Sequence, residues 1–210
     1  MKKFILVFVF LAVCTPAFAF HIGPATPAAD HGEVNFGVGY FLYQAEWDGF
    51  DVEQNRGYVH LGYGLGIEDE PRWEAYIRGG AANLETADEN FDADFEPFGM
   101  IGIKGAFHDG EHFGWGMALQ GGIFGDFEDN GGMVEDLWEI EAGFPFQMGA
   151  GPFVLYAGPV FYRMKSERIE EEDNFGGFAG LAITLGPLSL ELEGQLKSDI
   201  SAGGNLTVQF

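Results

Sequence analysis

Cysteine, basic residues and long apolar runs are all scarce in this chain, and each scarcity excludes something. The one cysteine, Cys14, lies near the start, so no disulfide can staple the body of the chain, which must be held by burial and backbone pairing. Lys and Arg number 10 against 33 Asp and Glu, a formal net charge of −23. Nucleic acid is excluded as a partner, because neutralising phosphate takes clustered cations. The only long unbroken apolar run is Phe4–Val13, too short to cross a bilayer as a helix, which takes roughly 20 residues. Disorder is excluded in turn by a hydrophobic content of 47% and an aromatic content of 16%, enough apolar surface to drive collapse.

The apolar run has Lys2 and Lys3 before it and Ala17-Phe18-Ala19 after it, the three-part pattern of a secretory leader. Residues 1–19 are read as a signal peptide. Cys14 follows Val13, where a lipoprotein site wants a small residue, so it is read as part of the leader and not as a lipid anchor. Residues 20–32 contain Pro24 and Pro27 without periodicity and are read as a flexible periplasmic lead-in. Residues 33–210 remain as one domain.

What is abundant is glycine, 33 residues, and phenylalanine, 22, arranged in ten segments of period-two alternation. The clearest sets Trp138, Ile140, Ala142, Phe144, Phe146 and Met148 against Glu139, Glu141, Gly143, Pro145 and Gln147. Another sets Leu188, Leu190, Leu192 and Leu196 against Ser189, Glu191, Glu193, Gln195 and Lys197. The remaining segments centre on 34–43, 57–67, 72–82, 98–107, 113–123, 153–164, 175–185 and 202–210. Those at 57–67 and 153–164 carry apolar residues on both faces, so their parity is open. The connections alternate: 44–57, 84–97, 125–136 and 165–174 are long and acidic, whereas 68–71, 108–112, 149–151 and 186–187 are short. Only the ninth, 198–201, breaks the pattern. Long loops at one end and tight turns at the other describe an up-and-down meander with both termini at the turn end. The fold class is therefore all-β: a closed antiparallel up-and-down transmembrane β-barrel of ten strands, or eight if the weak first and last segments are not strands.

Charge placement favours a membrane wall. Ten charged residues fall within the segments: Arg72, Glu74, Arg78, Lys104, Glu139, Glu141, Arg163, Glu191, Glu193 and Lys197. By the assigned parity all ten oppose the apolar stripe, five basic and five acidic. An Arg or Lys facing lipid at mid-bilayer costs about 2–4 kcal/mol, and a narrow lumen tolerates ions only in pairs. The ten are accordingly read as a lumen charge network. The four long loops and the last short one hold 21 of the Asp and Glu residues, against Arg56, Lys165 and Arg168.

Signal peptide, alternating strands, loop asymmetry and C-terminal end together resemble the small outer-membrane β-barrel class of Gram-negative bacteria, over roughly residues 33–210. Leu206, Val208 and Phe210 resemble the terminal-strand signal read by the barrel assembly machinery, although Asn205 stands where that signal prefers glycine. The resemblance implies outer-membrane lipid and lipopolysaccharide as surroundings, the assembly machinery as a partner during biogenesis, and the outer membrane as location.

No catalytic residues are assigned. A hydrolase needs a nucleophile beside a base, and the serines after the leader, Ser166, Ser189, Ser198 and Ser201, have no histidine at a matching strand level. Glu139 with Glu141, and Glu191 with Glu193, are read as ion-pair partners and not as general acid and base. Acidic loop residues that offer alternating oxygens, Asp88, Asp92, Asp94, Glu96, Asp126, Glu128 and Asp129, are the candidates for weak Ca2+ or Mg2+ binding. A solvated loop is the simpler reading there, since Ala93 occupies the position an EF-hand gives to glycine. The functional expectation is a non-enzymatic outer-membrane barrel, structural or surface-interacting, with acidic extracellular loops and a lumen filled by side chains. The alternatives are a small cation-selective channel, whose lumen would be widened by Gly114, Gly116, Gly122, Gly176 and Gly180, a lipid-modifying enzyme, and a soluble secreted β-protein.

Overall fold

A computed structural model describes residues 21–47, 49–66, 72–86, 91–129, 132–167, 171 and 174–210. The leader with Cys14, the 68–71 turn, Asp88 and Arg168 lie outside the described residues.

The strands are β1 (Val34–Trp47), β2 (Phe50–Leu65), β3 (Trp73–Thr86), β4 (Phe91–Asp109), β5 (Phe113–Phe124), β6 (Phe127–Asp129), β7 (Gly132–Val134), β8 (Trp138–Gly143), β9 (Phe146–Ala150), β10 (Phe153–Lys165), β11 (Phe175–Leu185), β12 (Leu188–Leu196) and β13 (Ile200–Gln209). β8 and β9 are consecutive parts of one wall position, interrupted at Phe144-Pro145, and both pair with β5 and β10. Every wall strand is antiparallel to its chain neighbour, and β13 pairs with β1 in the register Phe36↔Val208 and Leu42↔Ala202. Among the described residues closure leaves the wall sheet with no free edge strand. The result is a closed ten-stranded antiparallel barrel, and each wall position corresponds in order to one of the ten alternating segments.

Alternation decides the faces. Phe36, Val38, Ile77, Ile101, Ile123, Ile140, Leu155 and Phe175 are exposed on the outside, while Asn35, His60, Arg78, Glu141 and Glu191 between them are buried. Turns at one end are tight: Gly110 N–H donates to the Phe113 carbonyl at 3.0 Å, and Gly151 (φ 63°) and Gly186 (φ 62°) occupy left-handed positions that only glycine adopts without strain.

The other end departs from the expected loops. Residues 44–57 and 84–97 are mostly strand: β1 and β2 stay in register out to Trp47↔Phe50, and β3 and β4 pair out to Thr86↔Phe91 around a register shift at Ala82/Leu84. Within 125–136, β6 and β7 form a small hairpin. These stretches are rich in acid, yet they keep the period of two. Ala45, Trp47, Val52, Gln54 and Arg56 point in, while Glu46 and Asp51 are exposed. Period, and not polarity, sets the strand length here.

Inside the loop half lies an apolar cluster that includes Phe41, Tyr43, Trp47, Leu84, Phe98, Phe124, Phe127, Leu137 and Met164. Both within this cluster and beyond it, large rings on the inner face lie over glycines directly opposite on the next strand: Tyr58 over Gly39, Tyr76 over Gly102, Tyr156 over Gly180 and Phe41 over Gly203. A Cβ at Gly39 would stand 2.2 Å from the Tyr58 ring, and one at Gly180 2.3 Å from that of Tyr156. These glycines accommodate neighbouring rings and do not widen a channel.

Candidate functional site

The candidate site is the lumen, organised along the barrel axis. Next to the apolar cluster comes a charged band. Arg56 Nη1 donates to Glu139 Oε2 at 2.9 Å, and Lys197 Nζ lies 3.5 Å from Glu139 Oε1 and in contact with Glu141. Gln120 Nε2 donates to Glu141 at 2.5 Å, while its Oε1 accepts from Tyr76 at 2.7 Å and from Arg78 at 3.1 Å. The guanidinium of Arg56 stacks on the rings of Tyr43 and Phe124, and that of Arg78 on Tyr58 and Tyr76, which offsets part of the cost of taking each cation out of water. From the loop end Glu171 folds inward, is buried, and bridges to Trp47. Burial pushes its carboxyl up to about 7 despite the attraction of Lys197.

Towards the turn end, Glu74 accepts from Asn35 at 2.9 Å and lies 3.2 Å from His60 Nε2. Lys104 stands 4.0 Å from Glu191. Here the lumen holds residues 21–29, the stretch expected as a periplasmic lead-in. It does not hang clear of the barrel: His21, Ile22, Ala25 and Ala29 are buried. Glu193 lies 3.8 Å from the His21 ring, accepts hydrogen bonds from the backbone N–H groups of Ile22 and Gly23 at 2.9 and 2.8 Å, and accepts one from Gln195 Nε2 at 2.8 Å. Proline and the lack of periodicity marked this stretch as irregular. They carried no information about where an irregular stretch would lie.

Of the ten charged residues assigned to the lumen, eight are placed inside: Glu74, Arg78, Lys104, Glu139, Glu141, Glu191, Glu193 and Lys197 are all buried. The other two are corrections. Arg72 precedes β3 at the turn-end rim, partly exposed, 2.5 Å from Asp30 and 3.2 Å from Asp109. Arg163 is exposed on the outer wall, opposite Ile140. The apolar residues on both faces of β10 hid its parity, and Tyr156, Val160, Tyr162 and Met164 take the inside. Arg56, expected in a loop, is fully buried. The alternation Gln54, Arg56, Tyr58, His60 would have placed it had β2 been followed past residue 57. Among the described residues four Arg or Lys side chains are buried inside against five Glu of the wall and Glu171 from the loop end, in place of the expected five against five. Backbone N–H groups supply part of the difference at Glu193.

Leu206 and Phe210 face outward, exposed, with Val208 between them on the same face. The Phe210 N–H donates to the Val34 carbonyl at 2.9 Å, which completes the seam. Asp92, Asp94, Asp126 and Glu128 are exposed, and Glu96 and Asp129 half-buried. Among the described residues no group of three or more His, Cys, Asp or Glu is arranged to hold a metal ion. Ser198 donates to Glu171 at 3.4 Å and Ser201 to the Gln44 carbonyl at 3.3 Å.

No protein-family model matches this chain, and no curated protein sequence does. Solved structures do. An outer membrane channel from Pseudomonas putida F1 superposes with a TM-score of 0.58 at 9% identity, covering 91% of this chain and 100% of that one. The β domain of a Bordetella autotransporter matches at 0.45 and 11% identity, over 85% of this chain and 99% of its own. The transport unit of an Escherichia coli autotransporter matches at 0.39 and 15% identity, over 84% and 88%. At such identities the likeness to the channel is one of fold, and it agrees with the geometry: this chain folds as a closed ten-stranded barrel of the outer-membrane type.

Proposed function

We propose that this chain is an exported, non-enzymatic outer-membrane protein with a closed lumen, acting as a structural or surface-interacting barrel. In this reading residues 1–19 are removed on export and the outward apolar belt sits in lipid. The loop end faces outside the cell, where its acidic hairpins meet lipopolysaccharide through divalent cations. Leu206, Val208 and Phe210 serve the assembly machinery. One observation carries the closed lumen: side chains fill the loop half, from the Trp47–Phe124–Leu137 cluster to the Arg56–Glu139–Lys197 band, and residues 21–29 occupy the turn half. A buried ion pair surrounded by rings leaves no continuous water column for ions to follow.

Planar-bilayer recording of the refolded protein without residues 1–19 tests this reading, with no current above the lipid background expected. A steady cation-selective conductance would replace it with the channel reading.

A further inference from the structure

The turn half of the lumen is filled by something other than its wall. Residues 21–29 form no strand of their own. They are joined to β1 through an exposed link, Asp30-His31-Gly32, whose Gly32 N–H donates to the Gly64 carbonyl at 3.0 Å.

The wall holds this stretch largely by its main chain. Besides the two Glu193 contacts, Arg78 Nη1 donates to the His21 carbonyl at 2.9 Å. Gln147 Oε1 accepts from the Thr26 N–H at 3.0 Å, and Gln147 Nε2 donates to Thr26 Oγ1 at 2.6 Å. Glu74 accepts from the Ala29 N–H at 3.4 Å. The wall is also hollowed where the stretch passes. A Cβ at Gly143 would stand 2.8 Å from the Ile22 side chain, and one at Gly64 1.8 Å from the Asp30 carbonyl oxygen. Gly23, at φ +82°, is wedged beside Lys104 and Glu191. Side chains directed at main-chain groups along the stretch, with glycines clearing the path, are how a groove grips a peptide by its backbone.

The stretch is not a gate. Beyond it lie the charged band and the apolar cluster, so its withdrawal would leave a blind pocket open only at the turn end.

We propose that the turn half of the lumen is a peptide-binding site, in which residues 21–29 are a tethered ligand. The same site takes, in trans, a peptide that bends as this stretch does, with small residues at the positions of Gly23, Ala25 and Ala29. The blind end of the pocket rests on the closed-lumen reading above; the binding itself does not.

The test begins with the exported chain, residues 20–210, refolded with a protease site placed across the exposed link and cut only after folding. The cut barrel is expected to keep its heat-modifiable migration on a gel and to exchange the severed segment for a fluorescent synthetic peptide of residues 21–30. Uptake should saturate, fall at least tenfold with a scrambled peptide, and fall at least tenfold in Glu193→Gln. A segment that neither leaves nor exchanges within a day overturns the proposal, as does a barrel that unfolds on cutting. So does an emptied barrel that takes up scrambled and native peptide alike. Current through the emptied barrel, with peptide uptake intact, would overturn the closed lumen and leave the binding site standing. Absence of both uptake and current would do the reverse.

Discussion

Arg56 on β2 and Glu139 on β8 meet across the lumen at 2.9 Å although their strands are not neighbours in the wall. Both side chains are buried, and Lys197 of β12 approaches the second oxygen of the same carboxylate. Three strands far apart around the barrel are tied at one level. The charged band thus crosses the lumen while its acids and bases compensate one another.

Removing one partner of this pair leaves a buried ion uncompensated. Arg56→Gln is expected to lower unfolding stability by about 3–5 kcal/mol, and the Arg56→Gln, Glu139→Gln double variant to lose less than the sum of the singles. Arg72→Gln, at the partly exposed rim pair with Asp30 and Asp109, is expected to cost no more than about 1 kcal/mol. Urea titrations in lipid vesicles, followed by tryptophan fluorescence, measure all four.

Charge on the outer belt is expected to act at assembly. Ile101 is 70% exposed between Ile77 and Gly121, so Ile101→Arg should cost about 2–4 kcal/mol if it lies near the middle of the bilayer. Asp92→Arg, outside the belt and opposite Glu85, should be neutral or mildly stabilising, because it replaces a like-charge cross-strand pair with an opposite one. The yield of heat-modifiable protein in membrane fractions separates the two.

Glycines on the two faces should respond differently. Gly180→Ala drives a methyl into the Tyr156 ring and is expected to cost about 1–3 kcal/mol by overpacking. Gly57→Ala adds a methyl with no neighbour within 4 Å and should change stability by no more than about 0.5 kcal/mol. Equilibrium unfolding midpoints decide this.

Glu171 gives a pH dependence whose sign follows from its raised carboxyl. Its value rises from an ordinary 4.5 to about 7, so the folded state binds this proton more tightly than the unfolded one. The stabilisation is fully present below the unfolded value and is lost as pH rises through about 7. The Glu171 N–H, bonded to the Met164 carbonyl at 3.1 Å, should therefore exchange faster at pH 8 than at pH 5 after correction for intrinsic rates. Glu171→Gln should flatten that dependence. Hydrogen exchange read by mass spectrometry is the measurement.

The wall was legible residue by residue. Strands such as Trp138–Gly143 and Leu188–Leu196 alternate in the sequence as they do in the barrel, because the direction of a side chain in a strand depends only on its position in the local period. Legibility failed where composition competed with period. The acid-rich stretch around Glu46, Asp51 and Glu53 reads as loop by polarity and is strand by alternation. In β10, apolar residues on both faces left Arg163 assigned to the wrong side.

By itself the sequence determined the number and order of the wall strands and the mainly apolar outer face, from which only Arg163 among the ten charged residues assigned inward departs. These follow from short-range alternation and from the cost of ions in lipid. The tertiary structure alone decided what meets inside. The Arg56–Glu139 contact depends on the stagger between strands at closure, a global quantity that no local pattern encodes. The place of residues 21–29 depends on a cavity that exists only once the barrel has closed, and on carboxylates such as Glu193 that need the N–H groups of this stretch when water is excluded.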